Sequence, residues 1–220
     1  WNMAFTVPHD GQGLANLYGG RAELAKKLDA FFTLPETGLF PGHYGGVIHE
    51  MTEARDVRMG QYGHSNQPSH HIIYMYDYAG QPHKAQALSR EALSRLYLGS
   101  EIGQGYPGDE DNGEMSAWYV FSALGFYPLQ MGSPAYAIGS PLFTKATVNL
   151  ENGRKIVVNA PENSARNVYV QSLKVDGREY TSTSLPHDLL ADGATLDFAM
   201  GPEPSDWGTG ADDAPPSLTS

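Results

Sequence analysis

The sequence contains no cysteine and few basic residues. Without cysteine among its 220 residues, the chain has neither disulfides nor thiolate metal sites, although exported proteins also manage without cysteine and the compartment stays open. Lys and Arg number 14 against 25 Asp and Glu, which gives a formal net charge of −11. This balance argues against a nucleic-acid partner, because phosphate binding needs clustered cations. A neutral or cationic ligand is favoured.

Long apolar runs are also absent, which argues against a membrane-spanning segment. The first residues, 1–8, lack the charged and apolar regions of a signal peptide. Because the first residue is not Met, we expect the sequence to begin within a longer gene product, with any targeting signal upstream. The hydrophobic content of 40% allows a sizeable core, as one large domain or two small ones.

Residues 1–130 have the pattern of short helices joined by Gly- and Pro-rich loops. Apolar spacing and capping residues predict helices capped by Asp10 through Leu17, then at 22–32, 69–78, 84–98 and 114–124. The loops between them, 33–66 and 99–112, are long for a compact bundle. Long ordered loops tend to carry function.

From about residue 135 the pattern changes to short strands. They are predicted at 146–150, 155–159, 168–175 and 195–200. The dipeptides Asn152-Gly153, Asp176-Gly177 and Asp192-Gly193 are typical of hairpin turns. Residues 131–208 are therefore predicted to form a β-sandwich-like module, and the tail 209–220, which has no apolar pattern, is predicted to be disordered.

An acidic motif precedes the last predicted helix. Four carboxylates fall within six residues: Asp109, Glu110, Asp111 and Glu114. Carboxylates this close repel one another, so they indicate a cation, a substrate or a helix N-terminus. An EF-hand is excluded, because the sixth and twelfth positions hold Glu114 and Val120 instead of Gly and Glu. Asp111 and Glu114 also fit a capping box, and we expect at least one of them to cap the helix.

A second polar segment, His49 to Glu53, begins like a zinc-protease motif. Its fifth position is Glu53, where the second His ligand should be, which argues against a metalloprotease. The alternative that His49 and Glu50 are simply a hydrogen-bonded loop pair stays open.

A third polar segment spans residues 60–71. Asn66 and Gln67 offer neutral amide oxygens that suit a hard cation or sugar hydroxyls. A structural alternative is that Ser65 or Asn66 caps the following helix and that the two histidines after it are only packed. The 11% aromatic content, rich in Tyr, also suits a sugar site, although Tyr packs in ordinary cores as well.

Four blocks of the sequence resemble glycoside hydrolase family 92, the calcium-dependent exo-α-mannosidases. Residues 108–128 resemble that family's GNEDxGQMSAWYVxSALGFYP block, and 64–71 its HGNEPSHH or HGNQP block. Residues 1–10 are similar to its WxYxxxVPHD segment and 136–141 to its YxIGSP segment. The blocks fall in the same order and extend over almost the whole chain.

The resemblance implies inverting hydrolysis of terminal α-mannose, with Asp111 as general base and Asp109 assisting it. It also implies a calcium ion, for which the ligands in this sequence are Asn66, Gln67 and Glu110. An α-1,2 preference follows from a His-Glu pair at the leaving-sugar site. The substrate contacts implied in this way are Trp1, His49, Glu50 and His64.

The family's general acid is a Glu in an EGNxW-type segment, and this sequence starts at the Trp of that segment. The acid is therefore expected in the missing N-terminal half. The implied fold class is α+β in several parts, with the C-terminal helices of an (α/α)6 barrel in 1–130 followed by the β module. In a partial barrel, the helix faces that the other barrel helices normally cover are exposed. Self-association or the missing half would have to cover them. Export to the periplasm, cell surface or medium is implied by the resemblance alone.

A mannose-containing glycan is thus the expected partner, and two functions compete. The first is a mannosidase portion that carries the base and metal loops and is inactive alone. The second is a non-catalytic carbohydrate-binding or scaffolding module, in which the acidic loop merely caps a helix. The enzyme hypothesis predicts that Asp109 and Asp111 face a cavity shared with Asn66 and His49. The binding-module hypothesis predicts that Asp111 only caps its helix and that the loops lie far apart.

Overall fold

A computed structural model describes residues 1–97 and 105–219 as a mixed α+β fold. The helices are α1 (Gly11–Tyr18), α2 (Arg21–Thr33), α3 (His49–Val57), α4 (Met75–Tyr78), α5 (Pro82–Arg95), α6 (Glu114–Leu124) and α7 (His187–Ala191). The strands are β1 (Phe126–Tyr127), β2 (Ala135–Ile138), β3 (Lys145–Asn149), β4 (Lys155–Asn159), β5 (Tyr169–Val175), β6 (Arg178–Glu179), β7 (Ser184–Pro186) and β8 (Ala194–Gly201). Within the described residues, no helix has the length and apolarity to cross a membrane.

Helices α1, α2, α5 and α6 confirm the sequence prediction to within two or three residues at the described ends. The Asp10 carboxylate caps α1 by accepting from the Gly13 backbone N–H at 3.0 Å. Helix α6 ends at Gly125, whose φ of 98° is left-handed, a conformation that glycine adopts at no steric cost. The predicted end of α5 at residue 98 lies outside the described residues.

Two predictions for the helical part are wrong. The segment 33–66 is not a continuous loop, because it contains the 3-10 turn Gly42–Tyr44 and helix α3. The predicted helix 69–78 consists of two 3-10 turns, Gln67–Ser69 and Ile72–Tyr74, followed by the single turn of α4. Its side chains are buried on every side and bond to other segments, so tertiary contacts override helical periodicity here. The other predicted loop, 99–112, lies partly outside the described residues.

The strands form two sheets, of order β1-β2-β7 and β3-β4-β8-β5-β6. The hairpin turns at Asn152-Gly153 and Asp176-Gly177 are confirmed, since β3–β4 and β5–β6 are antiparallel neighbours. The prediction of a hairpin turn at Asp192-Gly193 is wrong. That dipeptide joins α7 to β8, which pairs parallel with β4. Periodicity missed β1, β2, β6, β7 and α7 because each has only two to five residues.

Two hydrophobic cores correspond to the two halves of the chain. The first is rich in aromatic residues from the helices and includes Trp118, Phe31 and three tyrosines of the 67–78 segment. The second is mainly aliphatic and draws on both sheets. Helix α5 joins the two, since its Gln86 side chain accepts from the Val170 backbone of β5 at 2.9 Å. The buried Arg90 donates to Asn163 at 2.5 Å.

The predicted disorder of the tail differs from the structure, in which residues 209–219 are described and packed. Ser217 Oγ donates to Asp10 at 2.7 Å, and the Thr219 backbone N–H donates to the same carboxylate at 2.9 Å. Tyr78 donates its hydroxyl hydrogen to the Pro216 carbonyl at 2.6 Å. Polar contacts hold this segment, and an apolar pattern cannot reveal them.

Candidate functional site

The acidic loop enters helix α6 through left-handed backbone. Asp111 has φ 58° and Asn112 φ 57°, and Gly113 follows at φ 100°. Asp and Asn are the non-glycine residues that best tolerate this region, so the local sequence suits the turn. The turn keeps Asp111 and its exposed carboxylate outside the helix.

Glu110, not Asp111 or Glu114, satisfies the N-terminus of α6. Its carboxylate accepts from the Gly113 backbone N–H at 2.6 Å, from the Ser116 N–H at 3.2 Å and from Ser116 Oγ at 2.7 Å. These bonds, led by the one from Ser116 Oγ, hold the pKa of Glu110 below its ordinary value. The predicted capping box of Asp111 and Glu114 is therefore wrong, and both carboxylates are released for other contacts.

Asp111 joins the acidic loop to the amide-bearing segment. Gln67 donates from Nε2 to Oδ2 of Asp111, and Asn66 immediately precedes Gln67 in the chain. The same two segments also approach at the backbone, since a Cβ placed on Gly108 would lie 2.6 Å from Cβ of Ser65. Only glycine permits so close an approach.

His49 lies at the first position of α3 and is exposed. Its Nδ1 is 3.1 Å from Glu53 Oε1, and its Nε2 is 3.3 Å from Glu50 Oε1. The hydrogen bond with Glu53 is the main cause that raises the pKa of His49, followed by the charge of Glu50, and the Asp109 carboxylate also contributes. The structure thus pairs His49 with both Glu53 and Glu50 at the start of α3, and the assignment of His49 and Glu50 to the leaving-sugar site stays a prediction.

His64 is buried and lies between two tyrosines. Its Nδ1 is 2.6 Å from the Tyr62 hydroxyl and its Nε2 is 2.7 Å from the Tyr97 hydroxyl. Burial, with His70 beside it, holds the pKa of His64 well below its ordinary value. In this structure His64 is fully buried and supports the 64–71 segment from the interior. A residue that contacts substrate would be expected at the surface.

Trp1, another residue expected to contact substrate, packs on α2. Trp1 is 46% exposed as a whole residue, with Lys27 Nζ 4.4 Å from its ring centroid and the Phe31 ring centroid 6.4 Å away. These contacts fix Trp1 against the aromatic core and do not link it to the acidic loop.

The oxygen donors near Asp111 are of the type that calcium prefers. Gln67 uses its Nε2 for Asp111, which leaves its amide oxygen available, and the neighbouring Asn66 side chain caps no helix. These two residues fit the expected ion. Glu110 fits less well, because its two oxygens already accept hydrogen bonds from the start of α6. Among the described residues, no group of three or more His, Cys, Asp or Glu side chains is arranged so that it could hold a metal ion by itself.

Two features escaped prediction, a contact between a buried histidine and a carboxylate and a buried Asp. His70, which is 1% exposed, bonds through Nδ1 to Glu114 Oε1 at 2.9 Å. Asp77 is fully buried, and burial raises its pKa well above the ordinary value. A carboxylate between tyrosines in an otherwise apolar stretch was the available signal for Asp77, whereas the His70–Glu114 contact has no signature in sequence spacing.

Comparison with known proteins identifies the family to which this chain belongs. The model for the glycosyl hydrolase family 92 catalytic domain matches residues 1–202. An uncharacterized secreted glycosidase of Arthroderma benhamiae is 31% identical over 99% of this chain and 25% of its own length.

Two solved structures from Bacteroides thetaiotaomicron share the fold. A family GH92 α-mannosidase is 34% identical with a TM-score of 0.84, over 97% of this chain and 26% of its own. A family GH92 inverting mannosidase is 45% identical with a TM-score of 0.84, over 100% of this chain and 30% of its own. The chain spans about a quarter to a third of the length of these relatives. The family match over most of its residues shows that the chain belongs to glycosyl hydrolase family 92.

Proposed function

We propose that the chain is the C-terminal portion of an inverting, exo-acting α-mannosidase that removes terminal mannose from glycans. One observation carries the proposal: the Asp111 carboxylate accepts from Gln67 Nε2 across two segments, while Glu110 and not Asp111 caps α6. A non-catalytic module needs no such convergence, since there the acidic loop would only cap its helix. The relative described as an inverting mannosidase supports the same reaction.

In the proposed reaction Asp111 is the general base. Gln67 holds one carboxylate oxygen, Oδ2, and leaves Oδ1 to accept a proton from water. The water oxygen then attacks the anomeric carbon from the face opposite the leaving group, which inverts the configuration. Asp109 assists by its negative charge beside the base. The leaving oxygen takes its proton from a general acid, which we place in the upstream part of the full-length protein.

Two further groups of residues complete the proposed site. Asn66 and Gln67, with Glu110 in a lesser role, would hold calcium, which when bound orients and polarises mannose hydroxyls. The His49–Glu50 pair would contact the leaving sugar, and the raised pKa of His49 favours the protonated, donating form. We assign an α-1,2 preference to this pair.

The rest of the proposal concerns architecture. The helices of 1–130 would be the last part of an (α/α)6 barrel, and the two sheets a sandwich-like module. The remaining barrel helices or a second copy of the chain would then cover the helix faces that a partial barrel leaves exposed. We also propose export, because the Arthroderma relative is described as secreted.

The test is an assay of the full-length protein on α-1,2-mannobiose, with NMR detection of the first-formed anomer. We expect β-mannose, the inverted product. Release of α-mannose, or glycan binding with no turnover, would overturn the proposal. The isolated chain, assayed beside it with calcium present, should be inactive because it lacks the acid, whose help is worth about 10²–10⁴-fold.

A further inference from the structure

A second side-chain contact joins the same two segments as the Gln67–Asp111 bond. His70 lies three residues after Gln67, and Glu114 lies three residues after Asp111, so the two contacts have the same separation of 44 residues. They form two successive links between the 64–71 segment and the start of α6. The first link is exposed, whereas the second involves a histidine that is 1% exposed.

The hydrogen-bond partners of His70 fix how its protons are shared. Its Nε2 faces the His64 backbone carbonyl at 2.8 Å, and a carbonyl only accepts, so Nε2 carries a hydrogen. Its Nδ1 faces Glu114 Oε1 at 2.9 Å. A hydrogen must lie between Nδ1 and Oε1 as well, whichever atom holds it. The pair is therefore joined by a charge-assisted or strongly polar bond.

The neighbouring histidine is bonded differently. His64, whose ring centroid is 4.7 Å from that of His70, lies between two tyrosine hydroxyls, each of which can donate or accept. A single ring hydrogen satisfies both, and burial favours this neutral form. Both histidines lie near α6, but His64 meets it through the Trp118 ring, 4.3 Å away between centroids, whereas His70 bonds the Glu114 carboxylate in its first turn.

The loop that carries Asp111 needs such a link. Asp111 and Asn112 hold positive φ angles, a conformation that non-glycine residues keep where the surrounding structure holds it. The other Glu114 oxygen, Oε2, is buried without a partner among the described residues. An unsatisfied buried oxygen costs folding free energy, so stability alone is a poor explanation for a carboxylate at this position.

We propose that the His70–Glu114 pair positions the Asp111 carboxylate by fixing the first turn of α6 against the 64–71 segment. This inference rests on the proposed function, in which Asp111 is the base. Neither residue of the pair touches substrate in this account. They act through Asp111 as positioning residues.

The first test compares substitutions at Glu114 in the full-length protein on α-1,2-mannobiose. Glu114→Ala should lower kcat about 10²-fold, the effect of a base displaced by about 1 Å, with KM nearly unchanged. Glu114→Gln should restore most of kcat, because its amide N–H can donate to His70 Nδ1 while Nε2 keeps its bond to the carbonyl. Wild-type kcat in Glu114→Ala would overturn the inference.

His71 provides the matched control. It is buried in the same segment, but its Nε2 bonds the Phe5 carbonyl at 2.5 Å instead of α6. His71→Ala, or His71→Gln if alanine impairs folding, should leave kcat unchanged. A loss as large as that of Glu114→Ala would show a general effect of loosening the segment. In the Asp111→Asn background, Glu114→Ala should cause no further loss, and full additivity would contradict action through Asp111.

A measurement without substrate separates this inference from the proposed function. Backbone amide exchange at residues 110–113 should rise in Glu114→Ala and stay unchanged in the His71 control. If the wild-type protein hydrolyses no mannoside yet exchange rises, the reaction is wrong and the link between the segments stands. If exchange does not change, the inference fails whatever the activity.

Discussion

The helical and β halves of the chain are built on different principles. The β half buries the apolar side chains that alternate along its strands, and Leu173, Leu196 and Phe198 lie in its mainly aliphatic core. The helical half buries polar groups among its aromatic side chains, including His64, His70 and His71. Buried polar groups must find partners, so they determine the local geometry more tightly than apolar packing does. The difference shows why the candidate site lies in the helical half.

Calcium removal should have the largest effect and should act on the helical half alone. We expect excess chelator to abolish mannosidase activity of the full-length protein, because one proposed ligand, Gln67, bonds Asp111 and the other, Asn66, precedes Gln67 in the chain. Calcium, but not sodium, should restore activity, while the amide exchange of β4 and β8 stays constant. Full activity of protein shown to be metal-free would contradict the proposal.

A pair of core truncations should separate the two halves. Trp118→Ala and Phe198→Ala each remove a large buried ring and should cost about 3–5 kcal/mol of stability. Only Trp118→Ala should also lower kcat in the fraction that remains folded, because Trp118 donates to the His70 carbonyl at 3.2 Å. Thermal unfolding and active-site kinetics measure the two effects. Equal losses of kcat would remove the distinction between the halves.

The pH dependence of stability should also originate in the helical half. The pKa of His64 is lowered on folding, so the unfolded chain binds the proton more tightly. Its stabilising contribution is complete above the ordinary value of 6.5 and is lost as pH falls from there toward the lowered folded pKa. His64→Phe should flatten the Tm-against-pH curve below 6.5. An unchanged slope would mean that other groups, such as His71, dominate.

The smallest predicted effect concerns the tail. Asp10→Ala removes the cap of α1 and the acceptor of Ser217 and Thr219. We expect faster proteolysis of residues 209–219 and a small fall in Tm, without a change in kcat. Since hydrogen bonds hold the pKa of Asp10 below its ordinary value, the wild-type tail should stay attached until strongly acidic pH. A protease-resistant tail in Asp10→Ala would show that Tyr78 suffices to hold it.

The two halves also differ in how far the sequence predicted them. Strands β4 and β5 followed from alternation, and the turns at 152–153 and 176–177 from their dipeptides. The parallel pairing of β8 with β4 did not, because it joins strands distant in sequence. Helix α3 was missed between Gly-rich flanks.

In the candidate site, local patterns gave the residues but not their contacts. Family resemblance and residue type pointed to Asp111 and to the His49–Glu50 pair, whereas the cap by Glu110 and the His70–Glu114 link were unforeseen. Both arise from tertiary hydrogen bonds. A capping-box spacing is equally compatible with a carboxylate that turns away from its helix, and only the left-handed backbone at Asp111 decides between them.

The central claim is that Asp111 is the general base, and Asp111→Asn in the full-length protein tests it most directly. An amide of the same shape keeps most ground-state contacts but cannot take a proton from water. We predict that kcat falls about 10²–10⁴-fold, with KM close to the wild-type value, and that Asp109→Asn has a smaller effect. Wild-type kcat in Asp111→Asn, together with collapse in Asp109→Asn, would contradict the account and assign the base to Asp109.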